Sequence, residues 1–452
     1  MKRREFLGTS AAVSASSSAL AQSSGSQPVN ILFLISDDHS AADLGAYGNT
    51  AVTSPHLDRL AREGMRFDKC FVTSPQCSPN RSAIFTGATA HTTGTSRLHV
   101  PLPDWEPTII DYLKSKNYYT GVYRKHHHGP GFEKRLDFYG NAQTPWRNFF
   151  DSIPQGKPFF LQAGFTDPHR PYKPGAFSPP HDPAKVKVPD FLPDWPEVRQ
   201  DLAHYYDFIA RMDNEVGQIM EILKGKGLAE NTLVLMTGDN GMPFPRAKGT
   251  LYEPGIHVPL IAWMPGKIPA GSVKKELISH IDLTPTWMDI AGLKPTPKMQ
   301  GRSFLPLLLG QPYQKRTEIF SERNWHNSFD PMRCVRTETH KLIFNAAPHF
   351  PYRPPTDLED SPTWQAMLAR RKAGSPVHLR HLFNPTRPLL QLHDLKADPL
   401  ELDNRIDAPS FKDLRLDLEA RLTKWMNDTY DFLPPSGGAP GDSLPRSWPV
   451  TL

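Results

Sequence analysis

Val29-Asn30-Ile31-Leu32-Phe33-Leu34-Ile35-Ser36-Asp37-Asp38-His39 is a nearly continuous apolar run that stops at two adjacent carboxylates. A half-buried strand alternates apolar with polar residues. A run apolar on both faces is expected of a central parallel strand covered by helices. Ligands of open α/β sheets bind beyond the carboxyl ends of such strands. Adjacent carboxylates there repel each other unless a cation lies between them, which makes Asp37 and Asp38 candidate metal ligands. Taken alone, Asp-Asp reads equally well as the start of a turn.

The same logic recurs further along. Asn231-Thr232-Leu233-Val234-Leu235-Met236-Thr237 reads as a buried strand and ends in Gly238-Asp239-Asn240-Gly241. With Asp37 and Asp38, Asp239 and Asn240 would form an oxygen-rich site suited to Ca2+ or Mg2+ rather than Zn2+. Lys248 comes shortly after. Lys157 to Gly164 is another strand, running into Phe165-Thr166-Asp167-Pro168-His169-Arg170-Pro171. His169 is then at a strand end, although a surface-loop histidine fits locally too. Tyr118 to Tyr123 leads into Arg124-Lys125-His126-His127-His128. Neighbours in an extended segment face opposite ways, so one inward histidine is expected, with Lys125 as a charge clamp. His257 to Trp263 is one more strand.

Ser54 to Gly64 reads as a capped helix closed by glycine, and Asp201 to Lys224 has the apolar spacing of a core helix. A third helix begins in Ser74-Pro75-Gln76-Cys77-Ser78-Pro79-Asn80-Arg81-Ser82-Ala83-Ile84-Phe85-Thr86-Gly87. Pro79 suits a first turn, which places Cys77 near a helix N-terminus, where backbone N–H groups favour an anion. Arg81 adds a positive fork suited to a tetrahedral oxyanion. A lone Cys-x-Pro-x-Arg would be a buried cysteine ahead of an ordinary helix; here the other stretches fit the same chemistry.

The alternation of strands and helices up to about residue 312 predicts an α/β fold, a large mostly parallel sheet sandwiched by helices. After it come short strands at 317–320, 332–336, 341–344 and 389–392, and a helix from about 411 to 427. They predict a smaller C-terminal antiparallel sheet with one helix. The expected domains are residues 22–312 and 313–452. The connection 345–388 is Pro-rich and basic, and a loop that long is more often functional than idle.

The chain has 452 residues, and Lys+Arg 52 against Asp+Glu 47 gives a net charge of +5. That mild excess suits an anionic substrate; without a dense basic tract it argues against nucleic acid. No run approaches the roughly 20 apolar residues of a membrane span. Pro, at 47 residues, is about twice usual usage and is interleaved with apolar residues, which implies ordered loops. Cys70, Cys77 and Cys334 make no disulfide framework. Lys2-Arg3-Arg4-Glu5-Phe6-Leu7, a weakly apolar stretch and Ala19-Leu20-Ala21 predict a signal peptide over 1–21, similar to a twin-arginine signal. A bacterial periplasmic or exported enzyme is expected.

Taken together, Asp37-Asp38, Cys77-Ser78-Pro79-Asn80-Arg81, Lys125-His126-His127, Asp167-Pro168-His169, Gly238-Asp239-Asn240-Gly241 and Lys248 resemble the type I sulfatases of the alkaline-phosphatase superfamily, over essentially the whole mature length. Further stretches look like the sulfamidase branch, the N-sulfoglucosamine sulfohydrolases: Asp239 to Pro245, Pro331-Met332-Arg333, Ser361 to Gln365, Ala373 to Pro376 and Leu379-Arg380-His381. Two positions depart. Lys248 stands where that branch has Arg, and Arg124 stands at the usual Gly position before Lys125.

The resemblance implies that Cys77 is oxidised to formylglycine by a formylglycine-generating or anaerobic sulfatase-maturing enzyme. It implies Ca2+, ahead of Mg2+, on Asp37, Asp38, residue 77, Asp239 and Asn240. Arg81, Lys125 and Lys248 would hold sulfate oxygens, His169 would protonate the leaving atom, and His127 would take a proton from residue 77. Arg333, Arg380 and His381 would line the substrate mouth. The substrate would be a sulfated saccharide of heparin or heparan type, cleaved at an N-sulfate, and a homodimer is compatible with all of this. Rival expectations are an O-sulfatase on another sulfated glycan, a phosphodiester or phosphonate hydrolase of the same superfamily, and a glycan-binding protein with unmodified Cys77.

Overall fold

The computed structural model describes residues 27–375 and 379–431. The expected signal segment 1–21 lies outside the described residues.

Strand β1 (Asn30–Ser36) is buried along its whole length. Leu32 and Leu34 enter one apolar core, and Ile31, Phe33 and Ile35 the other. That is the period-two split of a strand covered on both faces. The 30-residue helix Pro196–Gly225 packs on the first face. Helices Cys77–Thr86 and Leu283–Ile290 pack on the second, where Trp287 meets Phe33 edge-on at 4.8 Å.

The remaining strands of this sheet are β2 (Met65–Phe71), β3 (Tyr119–Arg124), β4 (Phe138–Gly140), β5 (Phe159–Gly164), β6 (Thr232–Gly238), β7 (His257–Trp263), β8 (Ser272–Lys274) and β9 (Ile278–Ser279). Their order is β4-β3-β5-β1-β6-β7-β2-β8, with β9 beside β2. β4, β3, β5, β1 and β6 run parallel, each to its neighbour. β7 is antiparallel to both β6 and β2. The chain between β6 and β7 carries only the one-turn helix Glu253–Ile256 and no crossover helix, so it returns beside the strand it left.

The second sheet is antiparallel: β10 (Glu318–Trp325), β11 (Phe329–Thr337), β12 (His340–Asn345) and β13 (Leu390–Asp394), in that order. Helix Lys412–Asp428 covers it through Leu418 and Leu422, against Val335, Leu342 and Leu392. The segment between β12 and β13 is not the structureless loop that its prolines suggest. It carries helices Thr356–Glu359 and Pro362–Lys372, and Trp364, Met367 and Leu382 join the core built on Pro196–Gly225. Among the described residues no helix is long and apolar enough to cross a membrane.

The parallel strands end level with one another. Ile35 and Arg124 both pair with Gly164, and Ser36 pairs with Gly238. A Cβ on Gly238 would stand 2.4 Å from the His39 carbonyl, so the close approach of the β1 and β6 tips needs glycine there. The residues just past each of these strands are thereby delivered to one place.

Candidate active site

Asp37 and Asp38 lie just past β1, and Asp239 and Asn240 just past β6. Backbone bonds lock the tips together: Asp239 N–H to the Ser36 carbonyl at 3.0 Å, and Asp37 N–H to the Asp167 carbonyl at 3.0 Å. The Asp38 N–H donates to Asp239 Oδ1 at 3.0 Å. Asp38 has φ of 64°, a left-handed turn that reverses the chain after the paired carboxylates.

Helix Cys77–Thr86 points its first residue at these tips. Cys77 Sγ lies 3.2 Å from Asp37 Oδ1, 3.5 Å from Asn240 Oδ1 and 4.0 Å from Asp38 Oδ1. Atoms of Asp37, Asp38, Cys77 and His169 all fall within 4.8 Å of one another. Asn80, one turn into the helix, donates to the Asp239 carbonyl at 2.7 Å and so fixes the helix to the β6 tip.

A ring of cations surrounds these acids. Arg81 Nε donates to Asp239 Oδ2 at 2.8 Å, its Nη1 donates to the Lys125 carbonyl at 2.8 Å, and its Nη2 is buried with no protein partner. Lys125 Nζ pairs with Asp37. Lys248 Nζ bridges Asp38 Oδ2 at 2.8 Å and Asp357 Oδ2 at 2.7 Å. Burial pulls Asp37 upward, but Lys125, His169, Arg81 and Lys248 hold it well below the usual carboxylate range. Asp239 is pushed up to about 6 by burial and by the Asp37 charge, against Arg81. Burial, Asp239 and Asp37 raise the Cys77 thiol well above its usual value, so as a thiol it stays protonated. Hard oxygen atoms from two strand tips that repel one another fit a divalent cation of the Ca2+ or Mg2+ kind.

His169 Nε2 sits 3.7 Å from Asp38 Oδ2 and 3.7 Å from Asp357 Oδ2, and its side chain is 28% exposed. The histidine triplet is not extended, because Arg124 has φ of 58° and His127 φ of 61°. His126 pairs with Glu133 at 3.0 Å, and His128 is packed between Phe85 and Phe132. His127 meets His99 edge-on at 5.4 Å, with its Nδ1 buried and without a protein partner. Burial, Lys125 and Arg81 hold its pKa down at about 2. Asp37, Lys125, His127 and His169 open onto a cavity of about 1170 Å3 whose wall also carries Arg124, Lys173 and Arg211.

Two of the expected mouth residues, Arg333 and His381, stand elsewhere. Arg333 is fully buried, bound to Asp431 and to the Arg323 carbonyl, and is a structural cation rather than a wall of the cavity. His381 lines a separate cavity of about 170 Å3 with Tyr252, Gln391 and His393. The side chain of Arg380 lies outside the described residues. Asp357 joins the site without any signal in the sequence. It comes from the connection between β12 and β13 and reaches both Lys248 and His169.

Residues 29–293 match the family model "Sulfatase". The chain belongs to the sulfatase family. It is a hydrolase of sulfate or sulfamate groups. Residues 246–361 also match the model "N-sulphoglucosamine sulphohydrolase, C-terminal". This sulfatase is 32% identical to human N-sulphoglucosamine sulphohydrolase, over 90% of this chain and 91% of that protein. It is 30% identical to an ulvan-active sulfatase of Formosa agariphila, over 88% of this chain and 74% of the other. In fold it is similar to BT4656, solved with its substrate D-glucosamine-2-N,6-O-disulfate, at a TM-score of 0.70 and 18% identity, covering 90% of this chain and 99% of that one. A phosphonate monoester hydrolase from Silicibacter pomeroyi shares the fold at a TM-score of 0.66 and 20% identity, over 88% of this chain and 94% of the other.

Proposed function

We propose that this sulfatase removes the N-linked sulfate of glucosamine from the end of heparin- or heparan-type saccharides. Cys77 is converted to formylglycine by a maturing enzyme, and Asp37, Asp38, Asp239, Asn240 and residue 77 hold Ca2+, in preference to Mg2+. The observation that carries the substrate reading is the match of residues 246–361 to the C-terminal part of the N-sulphoglucosamine sulphohydrolases. That stretch supplies Lys248 and Asp357, the groups around His169. The paired arginines Arg3 and Arg4 support export.

Hydrated formylglycine and a divalent cation supply, when present, a nucleophilic oxygen of lowered pKa and a polarised sulfuryl group. Arg81 pairs with Asp239 and Lys125 with Asp37, and the spare Nη2 of Arg81 donates to a sulfuryl oxygen. Lys248 opposes the charge that develops as the bond to sulfur stretches. His169 Nε2 gives its proton to the departing nitrogen. His127 is neutral in the free site. An arriving sulfate offsets Lys125 and Arg81, raises the basicity of His127, and fits it to accept the proton released at position 77. An unmodified thiol has one heteroatom on its carbon and could not expel sulfate afterwards, which is why the modification is required.

The ulvan-active relative makes O-sulfate the rival substrate. Two measurements test the proposal. The mass of the peptide carrying residue 77 should show the loss that accompanies conversion of Cys to formylglycine. The modified protein should release sulfate from N-sulfoglucosamine faster than from glucosamine 6-O-sulfate. Failure on every N-sulfated sugar removes the substrate reading and leaves the family assignment intact.

A further inference from the structure

We propose that Asp357 is the residue by which this enzyme tells a sulfamate from a sulfate ester, by accepting a hydrogen bond from the bridging N–H. The inference rests on the N-sulfate reading above and names the group that enforces it.

A carboxylate in this position calls for an explanation. The substrate is an anion, and Asp357 adds a further negative charge beside His169. Lys248 has no need of it, since Asp38 Oδ2 already faces its ammonium at 2.8 Å. Nor is Asp357 one of the groups that converge with Cys77 as potential metal ligands. It stands on the one-turn helix Thr356–Glu359, in a connection that leaves the C-terminal sheet to reach the catalytic sheet. Its carboxylate is largely buried, with a side-chain exposure of 16%. Such a burial is costly unless its hydrogen bonds are satisfied.

The geometry sets the carboxylate beside the group that would protonate the leaving atom. Asp357 Oδ2 is 2.7 Å from Lys248 Nζ and 3.7 Å from His169 Nε2. The two groups are therefore close enough for one bridging atom to take a proton from His169 and face Asp357 at once. In a sulfate ester that atom is an oxygen without hydrogen, and it presents only lone pairs to the carboxylate. In a sulfamate it is a nitrogen that carries one hydrogen, which a carboxylate accepts. One residue thus attracts the N-linked substrate and repels the O-linked one, as a specificity element must. A site built to bond a substrate N–H also rejects the analogue that lacks it more strongly than a shape-selective pocket could.

The test compares wild type with Asp357→Asn and Asp357→Ala, all with residue 77 confirmed as modified, on N-sulfoglucosamine and on glucosamine 6-O-sulfate, whose alkoxide needs a proton from His169 as the amine does. The Asn variant keeps shape. Lys248 would take its amide oxygen and leave the NH2 facing the substrate, a donor where an acceptor is required. The expected result is a fall of at least ~30-fold in the ratio of kcat/KM for sulfamate over sulfate ester, in both variants. Equal losses on both substrates would mean that Asp357 only positions Lys248 and His169, and would overturn the inference while leaving the N-sulfate reading in place. An unchanged ratio with unchanged rates would overturn it too. A wild-type enzyme inert on N-sulfoglucosamine would remove the substrate reading, and this inference with it. Should the Ala variant fail to fold, the Asn variant decides alone.

Discussion

Arg81 joins the catalytic elements through a single side chain. Its Nε holds Asp239 on the β6 tip, its Nη1 holds the Lys125 carbonyl after β3, and its Nη2 is buried without a protein partner. A lysine keeps the charge, but its donors share one nitrogen and cannot reach the three separate places that the planar guanidinium serves. Arg81→Lys is expected to lower kcat/KM for sulfate release by about 10^2 to 10^3, the usual effect of losing one directed donor to a developing anion. The cost in stability should be small, because Gln162 also donates to the Lys125 carbonyl, at 3.1 Å, and would keep it satisfied. Parallel kinetics and thermal melts check both halves, and a variant as active as wild type would remove Arg81 from the chemistry. Residues of this kind are legible in sequence because each closes a strand or opens a helix, so type and place coincide. Asp357 carries no such mark. Its partner Lys248 is 109 positions away, and only the folded chain brings the two together.

At the level of elements, β1, β5 and β6 are legible because burial on both faces leaves an unbroken apolar run. β2 is not, since its pairing with β7 shifts register between Phe67 and Cys70 and its pattern of buried residues breaks there. The antiparallel direction of β7 depends on the absence of a crossover helix, which no property of β7 itself records. Helix Pro362–Lys372 is hidden by prolines, although Ser361 caps it by accepting from the Trp364 N–H at 3.2 Å and Pro362 fits its first turn. Another contact between elements has a measurable pH signature. Helix Ala90–Thr93 meets β10 where His91 Nδ1 lies 3.0 Å from Glu322 Oε2, and the His91 N–H donates to Oε1 at 3.0 Å. Burial would raise Glu322, but His91, Arg333 and Asn324 bring it down to about 2 from its usual 4.5. Burial would lower His91, but Glu322 and Asp431 raise it above its usual 6.5. The contribution of Glu322 is therefore complete above pH 4.5 and lost as pH falls toward 2. That of His91 is complete below 6.5 and lost as pH rises through its raised value. Glu322→Gln should cost about 3 kcal/mol at a pH between those limits and less at pH 8, where the His91 contribution is already fading. Denaturant titrations at the two pH values decide it, and an equal loss at both would show that the pair carries no such linkage.

At the scale of the whole molecule the two sheets are bound by buried charge. Lys341 on β12 has no exposed surface and meets Glu253 and Glu401, each at 2.8 Å. Lys341→Met leaves those carboxylates without their shared cation and should cost about 3–5 kcal/mol. Activity should fall with stability, since Asp357 reaches Lys248 only while the halves are docked. The candidate metal site belongs to the same whole-molecule energetics. Asp239 approaches the Asp37-Asp38 pair only in the folded chain, so a cation that needs all three binds the native state and not the unfolded one. Without it, Lys125 and Lys248 already pair with Asp37 and Asp38, so the fold should survive chelation. Dialysis against EDTA is therefore expected to abolish sulfate release while leaving one cooperative melting transition at a lower temperature. Restoring Ca2+ to 100 times its dissociation constant should return about 2.7 kcal/mol. Mg2+ should return less at equal concentration, because it demands a tighter octahedral shell than these tips and residue 77 offer. Two separate transitions after chelation would mean that the sheets are coupled through the metal rather than through Lys341. A melting temperature indifferent to both cations would mean that the oxygen cluster is neutralised by its lysines alone, and the divalent reading of the site would have to be withdrawn.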